Sequence, residues 1–493
     1  MKFLLDTNVI IPAEPASQQI LESGAIFVTE LLRLLAEGSH QFYVHSESIN
    51  EIRGDRNKTR REVREVLLRK YPILPNAPKT SKRLESILGS HSLNRHDKVD
   101  LILLAALDSD AVDYLVTNDR GLHKEASRLE LSARVCTPVE AISIIRALFP
   151  VTPVPPPAVK SVYVHELDQE DPIFDSLRKD YPGFDVWLTK CKREHRKAWI
   201  IDSPTKGLGG LCIIKSETFP EYALPTPTLK ICTFKVSENS RGYRYGELLL
   251  KAVFDYTFKN NYLSIYLTVF PKQAELISLF EGFGFQALNK PSLDLDDELI
   301  LGKMLKFSVE DYNTLNPLDF NIKFGPYNVK FDGAQAFMVP IVPKYHRMLF
   351  PEAEAQLEVI PGQYPFGNGL RKAYLCHSSI RRICPGDILF FYRSRENRGI
   401  SAYGVVENII ISKNSTGVAR SVGKRTVYRF HEIEKMCSKE VLVILFRLSY
   451  ILIQPISIQT LIQKGILKTA PQSITTLSEE AKQWLKTQFS NQY

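Results

Sequence analysis

The chain has 493 residues, 44% of them hydrophobic and 24% charged, with a formal net charge of +8. That length exceeds one hydrophobic core and points to roughly three domains of about 150 residues. No apolar run approaches the roughly 20 residues needed to cross a bilayer, and the N-terminal one is broken at Asp6, which excludes a secretory leader pattern. Seven scattered cysteines without a CxxC pair exclude a disulfide scaffold and suit reduced thiols in a cytoplasmic protein.

In chain order, Phe3-Leu4-Leu5 is a continuous apolar run ending at Asp6. Continuous rather than alternating apolar sequence predicts a strand buried on both faces. Further strands at Phe42–His45, Tyr114–Thr117 and Ala133–Cys136, with a helix at Asp100–Leu107, continue a βα alternation. Residues 1–149 are therefore expected to form a parallel α/β sandwich. Ligands sit beyond the carboxyl ends of such strands, which aims Asp6 and Asp119 at one edge. Glu51, in the helix pattern after the second strand, and Asp100, opening the apolar helix, complete four candidate catalytic carboxylates. Asp97 lies three residues before Asp100, on the same helix face, and Glu47 stands in a similar relation to Glu51. For a metal, Asp6, Asp97, Asp100 and Asp119 are the candidate ligands. Oxygen donors with few histidines suit Mg²⁺ or Mn²⁺, and such ions drive phosphodiester hydrolysis by activating water. The plainer reading makes Asp6 and Asp119 turn and cap residues. The basic stretch Arg53–Lys70 reads equally as a phosphate-binding or a solvated helix face.

Pro150–Pro157 predicts an extended spacer, so 150–160 is a linker. Residues 161–308 then give a helix-rich start and strands at Ala198–Ile201, Gly210–Ile214, Leu229–Val236, Ser264–Val269 and Leu299–Leu305, with a long helix at Glu247–Asn260. Ser237–Gly246 joins strand to helix start, an arrangement that binds anions. Residues 309–329 are expected as a second linker. From 330 to 493, short strand-like runs between Gly, Asn and basic turns predict a small β-barrel with a helical extension. There Arg381, Arg382, Tyr392, Arg393, Arg395 and Arg398 interleave cations with an aromatic ring, as single-stranded RNA binding requires. The alternative is that the aromatics divide between core and surface.

Three resemblances follow. FLLDTNVII, SINEI, DLILLAAL and LVTNDRGL resemble the successive motifs of the PIN-domain ribonucleases. That resemblance implies a flavodoxin-like sandwich cutting single-stranded RNA with Mg²⁺ or Mn²⁺, with Asp6, Glu51, Asp100 and Asp119 as its acidic set and Thr7, Asn8 and Thr117 as polar companions. The segment SENSRGYRYG, the following strand and LFEGFGF resemble the GNAT acetyltransferases, an α+β fold that binds acetyl-CoA. By that resemblance Phe234 and Val236 offer backbone groups to the acetyl-pantetheine arm, and Arg241, Gly242, Tyr243, Arg244, Tyr245 and Gly246 wrap the pyrophosphate. Arg244 replaces the family's middle glycine and Phe280 its frequent tyrosine acid, leaving Tyr266 and Glu217 as substitutes. RICPGDILFFYRS followed by GISAYGVVE resembles the PUA-like (ASCH/EVE) barrels, which bind RNA. Together these imply an α/β multidomain, RNA-directed enzyme: a metal-dependent endoribonuclease coupled to an N-acetyltransferase, suited to a toxin or defence factor, with single-stranded RNA or tRNA and an antitoxin protein as partners and no membrane. Two alternatives stay open. One is an N-acetyltransferase acting on RNA-associated or protein amines with a non-catalytic PIN-like domain; the other is a non-enzymatic RNA-binding scaffold.

Overall fold

The computed structural model describes residues 1–493 apart from 12–24, 39, 54–60, 62–63, 66–67, 69–70, 89–94, 139, 143–144, 146–157, 204–206, 221, 238–243, 272, 289–297, 356–362, 365–368, 396, 423–424, 429 and 491–493. The proline spacer and most of the basic stretch after Arg53 lie outside the described residues. Three sheets organise the rest.

The first sheet is parallel, in the order β2-β1-β3-β4, from β1 (Lys2–Leu5), β2 (Gln41–Tyr43), β3 (Tyr114–Val116) and β4 (Val135–Cys136). Strand β1 pairs on both edges, and its side chains enter two cores. Phe3 and Leu5 pack with Val28 and Leu31 of α1 (Ala25–Glu37), while Leu4 packs with Leu103 and Leu104 of α2 (Arg95–Asp108). Burial on both faces explains the unbroken apolar run.

The second sheet has eight strands, in the order β10-β11-β9-β8-β7-β6-β5-β13. They are β5 (Val159–Tyr163), β6 (Lys197–Asp202), β7 (Leu208–Glu217), β8 (Thr228–Val236), β9 (Ser264–Val269), β10 (Gln286–Ala287), β11 (Leu299–Met304) and β13 (Gln363–Tyr364). Every neighbouring pair is antiparallel except β8 and β9. That parallel step requires a crossover, supplied by the helix α4 (Tyr245–Lys259), whose Leu249 and Val253 cover Trp199, Cys212 and Leu267. The opposite face is covered by α3 (Phe184–Arg193) through Phe184, Leu188 and Cys191 on Ala198, Leu211 and Ile213.

The third sheet runs β14-β17-β16-β15-β12-β18, built from β12 (Ala336–Ile341), β14 (Arg371–Cys376), β15 (Ile388–Arg393), β16 (Gly399–Ser412), β17 (Val441–Ser457) and β18 (Thr475–Thr476). Among the described residues its end strands do not meet, so the expected barrel is an open sheet. The reason lies in successive aromatics. Phe391 enters one core with Phe337 and Phe446, and Phe390 enters another with Tyr403 and Phe489 of the C-terminal helix Glu479–Ser490. A sheet apolar on both faces needs cover on both, and the interior of a small barrel covers only one.

The expected linker at 309–329 is instead packed structure. It holds helices Val309–Thr314 and Pro317–Phe324, each started by a side-chain cap, with Phe320 and Phe324 buried. Strand β13, from beyond residue 330, pairs with β5 and so ties the third region to the edge of the second sheet. No helix among the described residues is long and apolar enough to cross a membrane.

Candidate active site

Strands β8 and β9 keep parallel register from Thr228–Ser264 to Ile231–Leu267, where their pairing ends. Strand β8 continues to Val236 on β7, and a register shift there leaves Cys232 as an extra residue. A bulge bends its strand and adds twist, so β8 turns from β9 at Cys232 and a wedge opens between them. Phe234 and Val236 lie in that open part. Helix α4 starts beside it, because Gly246 has no side chain: a Cβ there would lie 3.0 Å from Leu279 and 3.7 Å from Phe234. The helix start offers N–H groups without intrahelical acceptors and a positive dipole end, which suit phosphate.

Residues 162–285 match the model of the acetyltransferase (GNAT) family. This segment is a GNAT acetyltransferase domain. Solved structures similar to the chain include an acetyltransferase of the GNAT family from Staphylococcus aureus, 14% identical, covering 30% of this chain and 100% of that one with a TM-score of 0.25. A ribosomal-protein-alanine N-acetyltransferase from Brucella melitensis is 14% identical, covering 30% and 99%, TM-score 0.24. The ASCH protein from Zymomonas mobilis is 17% identical, covering 31% and 94%, TM-score 0.24. No curated protein matches the chain.

Within the GNAT domain, Arg241, Gly242 and Tyr243 lie outside the described residues. Arg244 adopts φ +61°, the left-handed backbone that glycine favours, which explains the family's preference at this position. Its guanidinium does not extend toward a phosphate site as expected. It bonds Glu247 through Nε at 3.0 Å and Nη2 at 2.7 Å, and the Arg371 carbonyl at 2.8 Å. Tyr245 is buried at the first turn of α4. Phe280 is wholly buried, edge-on to Phe234 at 5.1 Å and to Phe285 at 4.7 Å, with no hydroxyl to donate.

The substitute pair is joined. Tyr266 donates its hydroxyl to Glu217 at 2.6 Å, and Lys215 lies 3.0 Å from the other carboxylate oxygen. Burial works to raise Glu217, but the Tyr266 hydrogen bond, Lys215 and Lys230 outweigh it and hold the carboxyl below the usual glutamate range. The pair stands on the sheet face that α3 covers: Tyr266 lies beside Lys230, one residue before the β8–β9 pairing ends, and Glu217 lies opposite Thr228, where that pairing begins. Sequence alone does not connect these two residues, since they are 49 apart and on non-adjacent strands.

The family match does not extend to residues 1–149, where geometry alone describes the carboxylates. Asp6 is buried and accepts from Thr117 Oγ1 at 2.7 Å, Asn8 Nδ2 at 2.7 Å and Thr7 Oγ1 at 3.3 Å. Burial is the main cause of its raised pKa. Asp100 is pushed up to about 7, first by burial and then by the charges of Asp6, Asp119, Glu125 and Glu51. The four expected carboxylates therefore share one electrostatic environment, and Glu125, in the helix Arg120–Arg128, is a fifth member that the motifs did not indicate. Asp119 also plays the cap role, accepting from Gly121 N at 2.6 Å and Leu122 N at 3.2 Å. The Asp97 side chain lies outside the described residues. Among the described residues, no three His, Cys, Asp or Glu side chains form a group that could hold a metal ion. Among the described residues Asp6 is turned onto its polar neighbours and Asp119 onto the helix start.

In the third region, Arg381, Arg382, Arg395 and Arg398 are exposed, but Tyr392 is wholly buried and Arg393 only 9% exposed. Tyr392 faces the core of Phe390 and Tyr403, so it presents no ring for a base. Both faces of β15 are covered, so the aromatics divide between two cores rather than between core and surface.

Proposed function

We propose that the chain is an acetyl-CoA-dependent N-acetyltransferase acting on RNA-associated or protein amines. The observation that carries this reading is the wedge between β8 and β9, opened by the Cys232 bulge beside the start of α4. Backbone groups of Phe234 and Val236 would hold the pantetheine arm, and the α4 start, with Arg244, Tyr245 and Gly246, the pyrophosphate. When bound, acetyl-CoA supplies a thioester-activated acetyl group. Glu217 accepts the proton of the incoming amine, and the C–S bond breaks as the C–N bond forms, the departing CoA thiolate taking its proton from water because Phe280 has none to give. Tyr266 and Lys215 keep that carboxylate ionised and fixed in place, so it is free to accept a proton though with lowered basicity. Acetyl-CoA should stabilise the protein against heat, and Glu217→Gln should bind it yet acetylate amines poorly. Absence of stabilisation at millimolar acetyl-CoA, or full activity in the variant, would overturn the reading.

The environment of Asp100 favours a second reading, a Mg²⁺- or Mn²⁺-dependent endoribonuclease on residues 1–149. The donors are all oxygen, and a nearby cation would relieve the crowding of negative charge that protonates Asp100. A bound cation would supply phosphate charge neutralisation and activated water. Asp6, Asp100 and Asp119 would have to rearrange to hold it. Exposed Arg381, Arg382, Arg395 and Arg398 would position RNA, and a neutralising antitoxin would be the partner. RNA cleavage that is lost with EDTA and in Asp6→Asn supports this reading; metal-independent cleavage refutes it.

A further inference from the structure

Behind the start of α4, the third sheet meets the GNAT domain through a group of arginines. Arg244 donates to the Arg371 carbonyl, and the Arg371 N–H donates to Glu247 at 2.8 Å. The Arg371 and Arg447 guanidiniums lie 5.0 and 5.2 Å from the Phe283 ring and both donate to the Gly282 carbonyl. Arg425 pairs with Glu407 at 3.0 Å, and the other Glu407 oxygen is 4.0 Å from Arg371. Lys251 nearby is neutralised by Glu352. Lys372 is buried, donates to the Leu349 carbonyl at 2.6 Å and is held well below the usual lysine range, chiefly by burial.

With Arg244 taken up by Glu247, the group sets, among the described residues, three guanidiniums (Arg371, Arg425, Arg447) against one carboxylate (Glu407), an excess of two positive charges. Like charges taken out of water are costly unless compensated. Arg447, 4% exposed, shows the strain of this: burial first, and then the neighbouring Arg371, push it down to about 10. Arg371 and Arg425 keep 27% and 26% of their side chains exposed, so a ligand can reach them. A phosphomonoester carries about two negative charges at neutral pH, and the guanidinium fork matches its oxygens.

We propose that Arg371 and Arg425 bind the phosphomonoester of acetyl-CoA at its adenosine end, so that the third sheet completes the cofactor site. This rests on the acetyltransferase reading. The location argues for CoA as the source of the phosphate. Arg244 belongs by its backbone to the expected pyrophosphate loop and by its side chain to the arginine group, and Arg425 feels both Arg244 and Glu247. Two phosphate sites joined by one residue fit a ligand with phosphates at two positions.

Calorimetric titration of the full chain with CoA and with 3′-dephospho-CoA tests this. CoA should bind roughly tenfold or more tighter, the worth of one charge-assisted hydrogen bond. Arg425→Ala should erase that preference while leaving dephospho-CoA affinity unchanged, which also reports that the variant is folded. Arg425→Lys should retain part of it. Equal wild-type affinities would overturn the proposal and leave the acetyltransferase reading standing; binding of neither ligand would overturn both. If Arg425→Ala keeps the CoA preference but weakens binding of a single-stranded RNA oligonucleotide, the arginines serve RNA and the proposal fails.

Discussion

The Tyr266 hydroxyl donates to Glu217 across an intervening strand, at 2.6 Å. That strand, β8, contributes Lys230, whose ammonium lies 5.4 Å from the Tyr266 ring. The contact joins the two strands on either side of the one that bulges at Cys232, so a proton acceptor and the open wedge are held in one rigid unit.

Glu217→Gln should lower kcat for acetyl transfer by roughly 10²- to 10⁴-fold, the usual contribution of a general base. The KM for acetyl-CoA should hardly change. Tyr266→Phe removes the hydrogen bond that keeps Glu217 below the usual glutamate range, so the acid limb of the kcat/KM pH profile should move upward. A merely structural role for the pair would leave that limb in place.

Asp100 makes stability depend on pH with a definite sign. Its carboxyl sits at about 7 in the native state against 3.8 as the ordinary value. Between those pH values the native state holds more protons than the unfolded chain, so stability falls as pH rises from about 4 to 7 and levels off above. Asp100→Asn should flatten that segment in urea titrations at stepped pH. The wild type losing no stability over this window would refute the shared environment.

Asp119 has two separable roles. Asp119→Ala removes the cap on Gly121 and Leu122 and should cost about 1 kcal/mol. Asp119→Asn keeps a capping oxygen but removes a charge that raises Asp100. Its melting temperature should stay near the wild type at high pH, while the Asp100 transition moves to lower pH.

Arg244→Gly relieves the left-handed backbone, worth about 1 kcal/mol. It also removes the bonds to Glu247, 9% exposed, and to the Arg371 carbonyl, and charge-assisted bonds are worth about 1.5–3 kcal/mol each. The second effect wins. Chemical denaturation should show a net loss of roughly 2–5 kcal/mol, and a gain in stability would show that the interdomain tether contributes little.

Much was legible in the primary structure because it is local. The apolar run at Phe3–Leu5 specified a strand buried on both faces, and the sequence on either side of Ser237–Gly246 specified a strand and then a helix. The departures at Arg244 and Phe280 were visible as residue types. Their consequences were not, since the Arg244 partner stands 127 residues away on β14. Chain alternation could not say whether Tyr392 faced RNA or core, because both faces of β15 are covered. The barrel expectation failed for that same reason. The sequence by itself determined most of the strands and helices, through periodicity and backbone preference, though not the two short helices within 309–329. Only the tertiary structure decided which charges meet: Glu217 with Tyr266, Asp100 with Asp6, Arg371 with Glu247. Those meetings depend on strand order, a bulge and a shared interface, and spacing along the chain carries none of these.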